Sequence, residues 1–467
     1  MVRSLPQIAE HIRAGLDYWI LAGLVIASFL FGGGARDDIL SLVILRPLGA
    51  LALIYALAGV RLEQVRQFRG PVLFMVALIG LILLHLIPLP PAVWSAFPGR
   101  EILVEGDKLV GIEEPWRPLS MVPWRTWNAF YAMLLPTAAM LLAIRCRRDQ
   151  RRALVPVVLA CGFASVMFGM LQAIGGYRPS LYFYAITNFE YPVGLFANRN
   201  HQAAMIAGLL PLVAVYAHRM ASAGGRVWLW LATAMGAIML LVLLITGSRA
   251  GIVLSLVSLA CVALTYPSGL KEGRARKMFF LALLALGALL VALLVATFLQ
   301  IGGLERLMNF DPQEESRLRS WPVIVDLIPK YFPFGAGIGS FAEVYMVDEP
   351  RELLGASYLN HAHSDPLEWA LDGGLPAILL TLWAIAAWLN RTVAAVRKLP
   401  KHQSADRLPL AASAAILILG LASLVDYPLR VPSLAVVAAL AAVWMTESQK
   451  GREQRMDRKE AGTSIPA

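Results

Sequence analysis

The stretch VWLWLATAMGAIMLLVLLITGSRAGIVLSLVSLACVALTY, residues 227–266, is two apolar runs broken only by ITGSRAG at 245–251. Each run is close to the roughly 20 residues that an α-helix needs to cross about 30 Å of hydrocarbon. Gly247 and Gly251 permit a sharp reversal between the runs, and Ser248 is placed to cap the second. The stretch reads as a transmembrane hairpin. Similar runs lie near 17–34, 39–60, 70–89, 127–144, 153–175, 201–217, 279–302, 366–390, 408–426 and 432–446, the last being the shortest. With 58% hydrophobic and 15% charged residues in 467, the chain is expected to be an all-α, polytopic integral membrane bundle of about 12 transmembrane helices.

Loop charge sets the expected orientation. The connections 61–69, 145–152, 218–226, 271–277 and 391–407, with both ends of the chain, are rich in Arg and Lys, while the intervening loops are poor in them. By the positive-inside rule both termini are cytoplasmic. The net charge of +10 therefore reports topology, and no nucleic-acid partner is expected. Cys161 and Cys261 sit inside apolar runs and Cys146 at a cytoplasmic edge, which implies no disulfide framework. The first run could pass for a signal peptide; it reads as an uncleaved span, because its removal would invert the fit of every later loop. Residues 1–446 form the membrane domain, and the polar tail 447–467 is expected to be disordered.

Two long loops, 90–126 and 303–365, fall on the external side, and polar clusters gather there at the ends of spans. In ITGSRAG, Arg249 either snorkels to lipid headgroups or grips a phosphate in a bidentate manner. In FANRNHQAA, 196–204, Asn200 is a plausible N-cap. Asn198, Arg199, Asn200 and His201 together offer donors at a helix start that favours an anion. In ESRLRSW, 315–321, Arg317 and Arg319 either reach a ligand or pair with Glu314 and Glu315 on the surface. GAGIGS, at 335–340, follows no strand and is not expected to bind a dinucleotide. Its glycines suit a flexible loop that tightens over a site.

The last cluster is HAHSDPLEWALDGG, 361–374. His361, His363 and Asp365 have the look of zinc ligands, but Pro366 stands where a further ligand would be needed, and His201 is the only other strong external candidate. No metal and no cofactor are expected. Proline suits a first helical turn, so Asp365 is expected as N-cap and Glu368 as its capping-box partner. Asp372 should face the bundle interior, since a carboxylate facing lipid is costly. A histidine just before a helix start remains, with chemistry suited to a general base.

Taken together, TGSRAG, SRLRSW followed by PFGAGIGSF, and HAHSDPLEWALDGGLPA resemble the successive signatures of the O-antigen ligase and polymerase superfamily of bacterial envelope glycan enzymes. FANRNHQAA and DYPLRVPS, 426–433, also fit, so the resemblance covers 195–433. It implies a metal-independent glycosyltransferase at the periplasmic face of the inner membrane. The donor it implies is a glycan on undecaprenyl diphosphate; the acceptor is lipid A core, a second lipid-linked repeat unit, or a protein hydroxyl. Matched to the family's motifs, Arg249 and Arg317 correspond to diphosphate-binding arginines and His363 to the essential histidine. Arg317 is preferred to Arg319 because it stands four residues before Trp321. His361, Arg199, His201, Asn198, Asn200, Arg319, Asp426 and Arg430 are weaker candidates for donor or acceptor contacts. The chain departs from many members at Asp365-Pro366, where they carry Asn and an aromatic residue.

The competing class is a transporter or flippase, which would place polar groups and broken spans at mid-membrane. Here the spans are mostly clean. Arg46, near the middle of the second, is the main exception.

Overall fold

The computed structural model describes residues 5–225, 227–265, 312–354, 358–397 and 406–447. The span expected at 279–302, the start of the loop 303–365 and the tail after 447 lie outside them. The described chain is a helical bundle: α1 (Leu5–Phe31), α2 (Leu42–Gly59), α3 (Leu62–Gln67), α4 (Arg69–Leu84), α5 (Pro91–Trp94), α6 (Glu101–Leu109), α7 (Pro123–Arg145), α8 (Arg148–Ile174), α9 (Arg199–Gly224), α10 (Val227–Ile245), α11 (Arg249–Thr265), α12 (Pro312–Tyr331), α13 (Phe341–Asp348), α14 (Asp365–Arg397), α15 (Leu408–Ala422) and α16 (Pro432–Thr446). Six of these, α2, α7, α8, α9, α10 and α14, are long and apolar enough to cross a membrane. Five shorter apolar helices stand where other spans were expected. This is a multi-pass membrane protein, and its described helices account for the expected runs other than 279–302.

Helix α9 is the axis of the bundle. It packs against α8, α10, α11 and α15, while α7 packs against α1, α2 and α16. Lipid tails are as apolar as leucine, so close packing and polar contacts hold such helices together. Polar contacts concentrate at the two ends. At one end, buried Arg145 of α7 meets Asp17 of α1 at 2.7 Å, and donates to the Tyr55 and Ala56 carbonyls of α2. Beside it Arg151 of α8 donates to Glu447 at 2.8 and 2.9 Å, and Trp444 Nε1 donates to the Arg151 carbonyl. The basic run 145–152, expected from the sequence to be a topological signal, is thus a clamp on helix ends.

The opposite end carries the long connections. The loop 90–126 is clipped at its base by a two-stranded antiparallel pair, β1 (Pro88–Leu89) and β2 (Arg117–Pro118). The region 303–365 is largely helical where it is described, with α12 and α13 inside it. A third long connection, 175–198, joins α8 to α9. Helix α14 runs past the expected 366–390 and is broken at Gly374, whose φ of 56° and ψ of −147° lie outside the helical region. Side chains at Gly374 and Gly335 would strike the Pro333 and Asp372 carbonyls, so the kink needs both glycines.

That kink corrects the expected role of the glycine loop. Ala336 and Gly337 donate to the Leu371 and Asp372 carbonyls, Gly339 to Asp372 Oδ2, and Ile338 to Nδ1 of buried His85. The segment is a wedge tied to the end of the first α14 segment, not a strap that is loose to close. Asp372 faces the interior as expected. Arg46 is also relocated: it is the fifth residue of α2, near the helix start and not at mid-span.

Candidate active site

Three elements converge at the end opposite Arg145. The first is the α9 start. Asn198, not Asn200, is the N-cap, its Oδ1 accepting from the Asn200 N–H at 2.8 Å. The second is the segment 361–364 before α14. The third is the turn 423–431 between α15 and α16, which carries Asp426.

Asp426 is the junction. Its Oδ1 lies 3.1 Å from Nδ1 of His363 and accepts from the Tyr427 N–H. Its Oδ2 accepts from Asn200 Nδ2 at 2.8 Å and, at 3.5 Å, from Asn198 Nδ2. His201 Nε2 stands 3.7 Å from Oδ1, beyond hydrogen-bond length, so its pull is electrostatic. Asp426 is buried. Burial alone would raise its carboxyl, but His201 and His363 outweigh that and hold it well below the usual carboxylate range. It is a carboxylate at any physiological pH.

His363 has φ of 49°, a left-handed conformation that costs a non-glycine residue about 1 kcal/mol or more. The surrounding contacts hold it there: Ala362 on one side accepts from Trp321 Nε1 of α12 through its carbonyl and donates its N–H to Glu368, and Asp365 on the other donates its N–H to the Ser423 carbonyl. The imidazole presents Nδ1 to Asp426.

A second network lies beside the first. Glu368 takes His361 Nδ1 at 2.9 Å, the Ala362 N–H at 2.9 Å and Arg430 Nη1 at 3.0 Å. Arg430 Nε also reaches Asp365 at 3.1 Å. The expected capping box is therefore corrected: α14 begins at Asp365, which serves Arg430, and Glu368 reaches back past the helix start to Ala362. Both carboxylates belong to the site, where sequence reasoning gave them only structural roles. Tyr427 was missed. Its buried ring packs against His361, His363 and His201 at centroid distances of 4.4, 4.9 and 5.1 Å. Its place beside Asp426 in DYPLR was the available signal.

The arginines enter from two directions. Arg199 lies over the Tyr191 ring at 4.1 Å. A Cβ on Gly247, whose φ is 63°, would lie 3.4 Å from that ring and 3.7 Å from Arg199 Nη1. The tight turn between α10 and α11 therefore packs directly on the α9 start, and Arg249, exposed, opens α11 two residues later. Ser248 caps α11 as expected, its hydroxyl accepting from the Gly251 N–H at 2.9 Å. Helix α12 docks on the histidine segment through Trp321. Arg317 stands one helical turn before Trp321, with its side chain outside the described residues, and Arg319 is exposed. Among the described residues no group of His, Cys, Asp and Glu has the arrangement of a metal site.

A family model described as O-antigen ligase matches residues 234–382, which include Arg249, Arg317 and His363. Asp426, Arg430 and the α9 start fall outside the matched segment. No curated protein matches the chain.

Proposed function

We propose that this chain, of which residues 234–382 match a family model described as O-antigen ligase, transfers a glycan from undecaprenyl diphosphate to an acceptor sugar hydroxyl, that of lipid A core, at the periplasmic face of the inner membrane. The observation that carries this reading is the His363–Asp426 pair at the end of the bundle where the Arg249 turn and α12 also arrive. A carboxylate on Nδ1 fixes the tautomer that leaves Nε2 basic, and it stabilises the imidazolium once a proton has been taken.

The acceptor hydroxyl gives its proton to His363 Nε2 as its oxygen forms a bond to the anomeric carbon of the donor. The bond from that carbon to the diphosphate oxygen breaks, and the electron pair leaves with the diphosphate. A diphosphate is already a good leaving group, so the protein has mainly to orient the hydroxyl and neutralise departing charge. Arg249 and Arg317 take the second task. Asn198, Asn200 and His201 hold Asp426 in place; Arg430 and Glu368 do the same for His361, which meets the acceptor or donor sugar. In this orientation both termini are cytoplasmic, and the Arg145 clamp lies at the cytoplasmic end.

The test is transfer by the purified protein from an undecaprenyl-diphosphate-linked glycan to lipid A core. Wild type is expected to transfer, and His363→Ala to fold normally and lose transfer. Full activity in His363→Ala removes this mechanism. In a deletion strain, loss of capped lipopolysaccharide with accumulation of long lipid-linked chains supports ligation, whereas accumulation of single repeat units makes the chain a polymerase.

A further inference from the structure

Arg46 is unexplained by the site above. It lies about 6 Å along the α2 axis from the helix start, at about 1.5 Å per residue. Gly49, one turn further on the same side of α2, is buried against Leu135 of α7, while Val43, Leu51 and Ile54 beside that contact are exposed apolar residues, so half-buried Arg46 lies at the edge where the α2–α7 contact gives way to a lipid-facing surface. Across from it, α7 presents Trp124, Trp127 and Tyr131, also exposed. Trp127 and Tyr131 are stacked at 6.0 Å. Indole and phenol rings at a helix end mark the headgroup level.

Arg46 is held, but among the described residues no carboxylate forms an ion pair with it, and the charge of Asp37 reaches it only from a distance. Its Nη2 donates to Asn128 Oδ1, an uncharged amide, and its guanidinium lies 6.0 Å from the Tyr131 ring centroid. Its Nε is buried and meets no acceptor among the described residues. Asp37, at the same end, is engaged by Arg125, which also takes Glu343. A guanidinium in a spanning helix is costly unless an anion joins it, and this one is oriented by Asn128, with its remaining N–H groups and Asn128 Nδ2 available as donors of the kind that grip phosphate. A chain that merely snorkels to water does not need an amide to fix it or bury its Nε.

We propose that Arg46, Asn128 and Tyr131 form a binding site for the phosphate of a lipid, at headgroup depth on the lipid-facing seam between α2 and α7. The ligand is an acyl or polyprenyl chain ending in a phosphate ester. The site rests on none of the residues assigned to transfer, so it stands or falls independently of that reading.

Native mass spectrometry of the full chain in detergent tests it, with three probes added separately: phosphatidylglycerol, undecaprenyl phosphate, and diacylglycerol, which lacks phosphate. Wild type is expected to retain one phosphate-bearing lipid that Arg46→Gln binds at least about tenfold more weakly, a loss of about 1.4 kcal/mol. Diacylglycerol should show no such difference. Asn128→Asp offers Arg46 an internal carboxylate and should displace the lipid equally; this variant keeps the test intact if Arg46→Gln folds poorly. Competition between the two phosphate lipids identifies the source. Equal retention by wild type and both variants, or equal retention of diacylglycerol and the phosphate lipids, overturns the proposal.

Discussion

The two ends of the bundle bury charge in different ways. At the Arg145 end, guanidinium groups meet carboxylates: Arg145 with Asp17, Arg151 with Glu447, and Arg148 and Arg152 with Asp406. At the His363 end, beside the Arg430 guanidinium on Glu368 and Asp365, two buried carboxylates also take imidazoles, Asp426 with His363 and Glu368 with His361. An arginine cannot give up its proton in a protein, so the first arrangement can only hold helices together. An imidazole gains and loses a proton near neutral pH, so the second can hold and also react. The left-handed backbone of His363 lies at the second end, where strain is expected if a residue is placed for chemistry.

The largest expected effect breaks the structural end. Glu447→Ala leaves Arg151 buried without its partner and should destabilise the protein by about 3–5 kcal/mol, read as a lower unfolding midpoint in detergent, with transfer per folded molecule unchanged. Next comes the reacting end. Arg249→Gln should lower transfer by about 100- to 1,000-fold through lost stabilisation of the leaving diphosphate, with the unfolding midpoint close to wild type. An equal loss of stability in both variants would erase the contrast between the ends.

The third prediction concerns pH. Burial, helped by the Arg100 charge, lowers His85 from 6.5 to about 4, so its neutral Nδ1 can accept from Ile338. The unfolded chain takes up this proton below about 6.5 and the folded chain only near 4, so stability is complete above 6.5 and falls as pH drops toward 4. The loss is at most about 3 kcal/mol. Melting temperatures across that range should slope accordingly, and His85→Asn should flatten the slope. The smallest effect is expected of Arg319→Ala, less than about threefold on transfer, as suits an exposed side chain; a loss as large as that of Arg317→Ala would exchange their roles.

How much of this was legible in sequence differs between the ends too. Helices follow from apolar length, and the ITGSRAG reversal with its Ser248 cap follows from local rules, so the bundle and this hairpin could be read directly. His363, Asp426 and Arg249 were singled out, but their junction could not be: Asp426 lies 63 residues from His363, and no local pattern supplies such a contact. Local rules also misled. Pro366 made Asp365 look like a cap, when a partner 65 residues away, Arg430, claims its side chain. The glycine loop looked flexible because its tie to the α14 kink is a tertiary contact. The charges in RCRRDQRR led only to an expected topology, while their pairing with Asp17, Asp406 and Glu447 depends on helix packing.

The most direct test of the account is the transfer rate of Asp426→Asn at saturating donor and acceptor, normalised to folded protein. The carboxylate is assigned to orient His363 and to stabilise its protonated form, so the rate should fall by about 100- to 10,000-fold while the fold is kept. A rate within about twofold of wild type would contradict the assignment of the His363–Asp426 pair as the base.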